Sequence, residues 1–323
     1  MMKKVTLKDI ARELGVTVGT VSHALNGLDD ISEDTKKRVL DTAKALGYIS
    51  NSSAVSLRSG KTKTIAIIVP DISNPHISYQ IKLIEDRLKA SGYSVIIFNT
   101  NENEGEEYQA IVTSLGKNVD GILFCPCQSS KENIDFLMRA ATPFILIGRY
   151  FSDIDTDYVA ADDFQGGYLA GKYLIEKGKS SPVYLGAYRY IEASEKRFLG
   201  LCAAFSEEGI ELPQDRFIEI SPCLGVSEEI IEKLDAMEEA DSLLSFSDLI
   251  AFEIMSALKN TSLTVVGFDG IAGHLKLPIR SVSIVMDGDG WANSAADFIL
   301  KKINGEEISC RKVIPVSLKE FNM

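Results

Sequence analysis

Apolar positions in the first fifty residues recur at helical spacing in three short runs. The first run forms one apolar stripe on a predicted helix: Leu7, Ile10, Ala11 and Leu14. The second run predicts a short helix capped by Thr17, and Gly15 separates the two where a left-handed residue is favoured. The third run begins near Ser32, ends at Gly47, and is predicted to bury four residues: Val39, Leu40, Ala43 and Leu46. The pattern predicts a three-helix head that contains a helix-turn-helix.

From Lys63 onward, short apolar runs alternate with amphipathic stretches. The runs are apolar throughout, as expected of strands buried on both faces: 65–69, 95–99, 121–125, 144–148, 183–186, 243–246 and 263–267. The stretches between them show helical periodicity, for example 77–88, 108–115 and 164–175. Alternation of strands and helices predicts an α/β body with parallel sheets.

Composition narrows the class of protein. Of the 323 residues, 45% are hydrophobic and 25% are charged, which is ordinary for a globular protein. No run approaches the roughly 20 apolar residues of a membrane span, and no apolar signal core follows Lys3 and Lys4. We therefore expect a cytoplasmic protein without contact to the membrane. The five scattered cysteines include no C-x-x-C pair, so we expect reduced thiols and no metal site.

Charge is distributed unevenly along the chain, whose net charge is −12. Residues 1–63 hold 11 Lys and Arg against 7 Asp and Glu, whereas the remainder holds 23 against 39. A basic head on an acidic body is expected when one end binds a polyanion such as DNA. The excess is modest, and a chance fluctuation explains it equally well.

The outward face of the second predicted helix carries small and hydroxyl residues with one histidine. Val18, Gly19, Ser22 and His23 stand where a purely structural surface helix usually carries Glu, Lys or Gln. Such residues can approach groove edges and phosphates, so we interpret His23 as a base or phosphate contact. The alternative interpretation is an ordinary exposed histidine.

Long, ordered runs in the head and at the start of the body form one signature: TLKDIA at 6–11, GVTVGTVSHALNG at 15–27, SEDT at 32–35, LGY at 46–48, AVSLRSG at 54–60 and the stretch 65–75. These runs resemble the LacI/GalR family of bacterial repressors. The resemblance implies a double-stranded operator as partner, with the second helix in the major groove. It places four residues nearest the bases: Thr17, Val18, Gly19 and His23. It assigns phosphate contacts to four others: Ser22, Asn26, Ser32 and Thr35. Many relatives have Arg in place of His23, so bidentate Arg–guanine readout is absent there.

Residues 51–63 are expected to form a hinge helix and linker. Asn51 or Ser52 can cap a short helix, which would be marginal alone because helix nucleation is costly. In the family, two such helices enter the minor groove, and a leucine matching Leu57 wedges between base steps. Ala54 shares the face of Leu57 and is assigned to DNA as well. The alternative is a plain linker between domains.

The resemblance also divides the chain and predicts a homodimer. It implies a head over 1–50, the hinge over 51–63, and an effector-binding body over 64–323. The body looks like two doubly wound lobes, similar to periplasmic sugar-binding proteins, with a ligand at the carboxyl ends of the strands. The lobes are expected at about 64–160 with 286–304, and at about 161–285 with 305–323.

Candidate effector residues follow strand ends or match family positions: Asp71, Asn74, Arg149, Arg197, Ser247 and Asp269. Arg197 and Asp269 match the family's ligand-binding arginine and aspartate, and an Arg–Asp pair across a cleft suits vicinal hydroxyls or a phosphate. Each candidate has a structural alternative as a helix cap or an ion pair. For His76 and His274 the structural interpretation is favoured. The effector is expected to be a sugar, a sugar phosphate or a purine-like molecule, with a protein corepressor as the alternative.

The motifs of common enzyme classes are absent from the sequence. It contains no phosphate-binding P-loop, no G-x-G-x-x-G after a strand, no H-E-x-x-H and no G-x-S-x-G. We therefore predict a DNA-binding transcriptional repressor without enzyme activity or cofactor. The alternative, a solute-binding receptor, leaves the helix-turn-helix unexplained.

Overall fold

The head forms a compact unit of its own. The computed structural model describes residues 5–49, 60–258 and 262–321. The chain divides into two compact units, Met1–Thr62 and Lys63–Met323. Among its described residues, the first unit contains three helices, α1 (Leu7–Leu14), α2 (Val18–Leu25) and α3 (Glu33–Ala45).

Local sequence explains the helix ends in the head. The Thr6 backbone N–H donates to the Asp9 carboxylate over 2.9 Å, which caps α1, and Gly15 ends that helix with φ of 66°. The three helices pack on one small core: Ile10, Ala11, Val21, Ala24, Val39 and Ala43. Two further predicted core residues are exposed, since Leu40 retains 53% and Leu46 retains 37% of its surface. Only the Val39–Ala43 side of α3 faces the other helices.

The part of the second unit that the structure describes contains two six-stranded sheets, which confirms the predicted α/β class. The strands of the first sheet are β1 (Thr64–Val69), β2 (Ser94–Asn99), β3 (Gly121–Phe124), β4 (Phe144–Ile147), β5 (Tyr158–Ala161) and β11 (Arg311–Ile314). Their order is β11-β5-β4-β3-β1-β2, and every neighbouring pair is parallel. The helices of this lobe are α4 (Pro75–Ala90), α5 (Glu104–Gly116), α6 (Glu132–Met138) and α12 (Gly288–Ile303).

The second sheet repeats this architecture. Its strands are β6 (Pro182–Gly186), β7 (Phe217–Glu219), β8 (Ser242–Ser245), β9 (Thr264–Phe268), β10 (Ser281–Met286) and β12 (Val316–Phe321). Their order is β12-β10-β9-β8-β6-β7, parallel except for the β10–β12 pair. The helices of this lobe are α7 (Asp163–Glu176), α8 (Glu192–Ser206), α9 (Glu228–Asp235), α10 (Asp248–Ala257) and α11 (Ile271–Leu275).

The C-terminal segment corrects the predicted division of the lobes. Residues 305–323 were assigned to the second lobe, but β11 pairs with β5 in the first sheet, with Arg311 opposite Tyr158. Only β12 joins the second sheet, antiparallel to β10. Pro315 separates the two strands, and a proline cannot donate to a strand ladder, so it suits the point where the chain changes sheet.

Strand β2 differs from the other predicted strands. It lies at the edge of the first sheet, and Ile97 keeps 46% of its surface exposed. In contrast, β1, which lies between β3 and β2 inside the sheet, is almost wholly buried. An apolar run thus predicted the strand correctly but not its burial, because position in the sheet is set by partners distant in the sequence. Within the described ranges, no helix is long and apolar enough to cross a bilayer.

Candidate DNA-reading face and interlobe cavity

The described candidate DNA contacts lie on α2, at its two ends and at the start of α3. Six of these residues are exposed: Thr17, Val18, Gly19, His23, Asn26 and Ser32. The other two, Ser22 and Thr35, are half-buried. Val21 and Ala24 on the opposite side are buried in the core of the head. Ala54 and Leu57, predicted to contact DNA from the hinge, lie outside the described residues.

Several of these candidates also have structural roles. Thr17 caps α2, because its hydroxyl oxygen accepts the Thr20 backbone N–H at 3.1 Å. Ser32 caps α3 through the Thr35 backbone N–H at 3.4 Å. The Asn26 amide donates to the Ser22 carbonyl over 2.7 Å. The hydroxyl and amide groups of these residues are therefore held in place by the helix ends.

A cavity of about 120 Å³ lies between the two lobes of the body. The first lobe lines it with residues from the ends of β1 and β4, from one face of α4, and from α12. The second lobe lines it with the start of α7, with Arg197 of α8, and with the end of β9. The cavity thus lies at the carboxyl ends of strands from both sheets, where open α/β sheets bind ligands.

The wall formed by the first lobe contains unpartnered polar atoms. Gln80 is 4% exposed, and neither atom of its amide has a hydrogen-bond partner. The Nε1 atom of Trp291 and the Nδ1 atom of His76 are also buried without a partner. A buried polar group without a partner lowers stability by about 1–3 kcal/mol. Binding of a ligand or water that forms hydrogen bonds with these atoms is therefore favoured.

The wall formed by the second lobe carries the charges. Arg197 Nε donates to Asp163 Oδ1 over 2.8 Å, and its Nη1 donates to the Phe246 carbonyl over 2.5 Å. The guanidinium also lies 3.6 Å from the centre of the Phe268 ring. Burial raises the pKa of Asp163, and the neighbouring Arg197 opposes that rise. Arg197 is therefore held rigidly at the edge of the cavity.

Asp269 lies opposite the histidine of the first lobe. Its φ of 99° is in the region that favours glycine, and such strain recurs at binding sites. The nearest oxygen of its carboxylate lies 3.9 Å from His76 Nε2, so the pair links the lobes. Behind it, burial and the charge of Asp269 raise the pKa of Asp248 to about 7. His274 also bridges the lobes, stacked on Tyr79 at 4.4 Å between ring centres.

The structure brings two of the six predicted effector residues to the cavity, Arg197 and Asp269. Both belong to the second lobe, so the predicted Arg–Asp pair does not span the cleft, and Arg197 forms an ion pair with Asp163 of the same lobe. Sequence reasoning missed Asp163, Gln80 and Trp291, and it favoured a structural role for His76. One signal was available, since His76, Gln80 and Ile84 follow one another at intervals of four residues, so two polar residues stand on the buried stripe of a helix.

The other four predicted effector residues do not line the cavity and have hydrogen-bond partners within their own lobe. Asp71 accepts from the Ser73 backbone N–H at 2.8 Å, and Asn74 accepts from the His76 backbone N–H at 2.9 Å. Ser247 caps α10 through the backbone N–H of Ile250. These local bonds agree with the structural alternative for each residue, because strand ends and helix caps coincide in α/β folds.

Arg149 is the fourth of these residues and is buried within the first lobe. Its guanidinium makes two hydrogen bonds to the carboxylate of Glu102, at 2.5 and 2.9 Å, and one to the Pro126 carbonyl. Both side chains of the pair are at least nine-tenths buried. Within the described ranges, no group of three or more His, Cys, Asp or Glu residues could hold a metal ion.

Comparison with known families assigns both units. Residues 6–51 match the family of bacterial regulatory proteins called the lacI family, and residues 62–287 match the periplasmic binding proteins and sugar-binding domain of the LacI family. The chain belongs to the lacI family. This lacI-family protein is a DNA-binding transcriptional regulator with a body built for a small-molecule effector, which confirms the predicted class.

Curated relatives of this lacI-family protein are transcription regulators. It is 29% identical over 275 residues to the transcriptional repressor PurR of Mannheimia succiniciproducens, covering 82% of each chain. It is 29% identical over 312 residues to catabolite control protein A of Priestia megaterium, covering 94% of each chain. The lac repressor dimer bound to operator has the same fold, with a TM-score of 0.82 at 20% identity over 98% of each chain.

Proposed function

We propose that this chain is a repressor that binds operator DNA as a homodimer and is controlled by a small molecule in the interlobe cavity. The observation that carries the proposal is that cavity. Its two walls belong to different lobes, and its first wall contains unpartnered polar atoms of Gln80, Trp291 and His76. A ligand that contacts both walls binds one lobe arrangement better than another. The difference between the effector's affinities for the two lobe arrangements can change the affinity for DNA. The coupling free energy between such sites is typically about 1–3 kcal/mol.

The lining favours a compact effector. Most residues around the cavity are apolar, including Ile81, Ile84 and Ile147, and the polar groups are few and fixed. This suits a ligand with apolar faces and a limited number of hydrogen-bonding groups, whether sugar, sugar phosphate or purine-like. Among structures of similar fold, one regulator is bound to cellobiose and another, from Enterococcus faecium, is bound to ribose. We propose Arg197 and Asp269 as effector contacts, joined by Gln80 and His76.

The effector site is tested by Gln80→Leu in the full chain. The variant removes both unpartnered amide atoms, so we expect its basal stability to rise by about 1 kcal/mol, while effector affinity falls at least about tenfold. The measurement is a thermal-shift screen with sugars, sugar phosphates, purines and nucleosides. A ligand at about 100 times its dissociation constant stabilises the protein by roughly 2.7 kcal/mol.

The matched control is Gln109→Leu, which changes an exposed glutamine on α5. It should leave both stability and the ligand-induced shift unchanged. An unchanged shift in Gln80→Leu would contradict the placement of the effector in this cavity. A screen without any hit would favour a protein corepressor over a small molecule.

The DNA site is proposed on the outward side of α2. Thr17, Val18, Gly19 and His23 are proposed to face base edges, and four further residues to bond phosphates: Ser22, Asn26, Ser32 and Thr35. Residues 51–63 are proposed as the hinge, in which Ala54 and Leu57 enter the minor groove. Because the protein acts on DNA and its curated relatives are regulators, we place it in the cytoplasm and assign it no reaction.

The hinge is tested by Leu57→Ala. If Leu57 wedges between base steps, affinity for the operator should fall at least about tenfold, or about 1.4 kcal/mol, with little change on random DNA. The operator is first obtained by selection from random duplexes with the wild-type chain. Leu275→Ala, which truncates an exposed leucine of the body, serves as control. Equal losses on both DNAs would remove the wedge from the mechanism.

A further inference from the structure

An acidic side chain is held against His23, on the outward side of α2. The Nδ1 atom of His23 lies 2.6 Å from an oxygen of the Asp30 carboxylate, although the two residues are seven positions apart. The side chain of His23 is 47% exposed and that of Asp30 is 56% exposed. A carboxylate on a surface that approaches phosphates is repelled by them, so its presence there calls for a reason other than affinity.

The end of α2 brings Asp30 to this position. Gly27 adopts a left-handed φ of 70°, and the Leu28 backbone N–H donates to the His23 carbonyl over 3.1 Å. These are the features of a Schellman ending, which reverses the direction of the chain after a helix. Because the chain turns back, Asp30 reaches the side chain of His23. The contact therefore follows from the backbone of the turn.

The bond determines which nitrogen of the imidazole carries the proton. An ionised carboxylate can only accept hydrogen bonds, so Nδ1 of His23 must be the donor. In the neutral ring the other nitrogen, Nε2, is then an acceptor. In the major groove, adenine N6 and cytosine N4 are donors, whereas guanine N7 and O6 and thymine O4 are acceptors. A ring held in this tautomer pairs with an amino-bearing base and is repelled by the other two.

We propose that Asp30 is a specificity-determining residue, which positions His23 so that its Nε2 selects adenine or cytosine at one operator position. The inference rests on the proposed DNA-binding role of α2. It assigns Asp30 no contact with DNA, since the residue acts through the orientation and the tautomer of His23. Carboxylates orient metal-binding histidines in the same way, by accepting a hydrogen bond from the ring nitrogen that does not contact the metal.

Two substitutions separate this role from a simple effect of charge. Asp30→Asn removes one negative charge, and its amide can donate or accept, so both tautomers of His23 become possible. Asp29→Asn removes the same charge from the adjacent exposed residue and leaves the carboxylate beside His23 intact. Because each variant loses one negative charge, its affinity for random DNA should rise by the same factor. Only the first should change the base preference.

The test is selection of binding sites from a random duplex library at pH 8.5, using the full chain. His23→Ala identifies the position that residue 23 reads. At that position we expect the wild type and Asp29→Asn to prefer adenine or cytosine over guanine about tenfold or more. A tenfold preference lies toward the lower end of the discrimination free energy that one base contact provides. Asp30→Asn should reduce this preference to less than about threefold, and Asp30→Glu should restore it.

Each outcome decides the inference. A site selected by Asp30→Asn that equals the one selected by Asp29→Asn overturns it, as does a preference for guanine in the wild type. Loss of preference at every position in Asp30→Asn, together with a lower melting temperature, would show a structural role and also overturn it. If the wild type selects no site at all, the proposed DNA-binding role fails together with the inference.

Discussion

Replacing Glu102 by glutamine is expected to lower the free energy of unfolding of the body by about 3–5 kcal/mol. The substitution leaves the Arg149 guanidinium without an opposite charge in a position where both side chains are at least nine-tenths buried. A buried charge cannot be hydrated, so the loss greatly exceeds that of a surface ion pair. The measurement is denaturant unfolding of the full chain, followed at neutral pH.

Two further variants make this test specific. Glu85→Gln, at an exposed position of α4, should change stability by no more than about 0.5 kcal/mol. The double variant Glu102→Gln with Arg149→Met should recover most of the loss, because it removes both charges. Arg149→Met alone should destabilise the protein and keep the ligand-induced shift. If it instead kept full stability and abolished that shift, Arg149 would be an effector residue after all.

Replacing Gly167 by alanine is expected to destabilise the body by about 3 kcal/mol, which is the upper end of the usual destabilisation when an extra carbon is inserted into a well-packed core. A Cβ atom at this position would lie 1.9 Å from the carbonyl oxygen of Arg197. The opposite glycine, Gly200 of α8, leaves as little space, since its Cβ would lie 2.0 Å from the Phe164 carbonyl oxygen. Neither contact can be relieved by a side-chain rotation, so the two helices must move apart.

The same substitution should weaken effector binding. The backbone that must move belongs to Arg197, whose guanidinium lines the cavity and pairs with Asp163. Gly116→Ala is the matched control, because nothing lies within 4 Å of its Cβ position at the end of α5. That variant should be neutral or up to about 1 kcal/mol more stable, since alanine favours helices. A Gly167→Ala protein with unchanged melting temperature and ligand response would contradict the close packing of α7 and α8.

The agreement between sequence and structure is best where bonds are local. Thr17 was predicted to cap the second helix and Ser32 to lie near the start of the third, and each is the residue before its helix. Such signals are legible because the cap and the helix it begins are adjacent in the chain. The strands of the body were predicted for the same reason, since an apolar run is a local property.

The interlobe cavity was harder to predict. Arg197 and Asp269 were chosen from family likeness and do line it, whereas Asp71, Asn74 and Ser247, chosen from strand ends, form local bonds in the structure. A strand end shows which edge of the sheet a residue occupies but not the direction of its side chain. That direction depends on the helix that starts there and on the opposite lobe.

The sequence by itself determined the class of protein, its family, the three helices of the head and the alternation of strands and helices. It did so because helix caps, hydrophobic periods and long motifs depend on neighbouring residues. Only the tertiary structure decided that β11 joins the first sheet, that Arg149 is buried against Glu102, and that Gln80 lies unpartnered in the cavity. These features depend on contacts between residues far apart in the chain, and a single sequence does not show which distant residues meet.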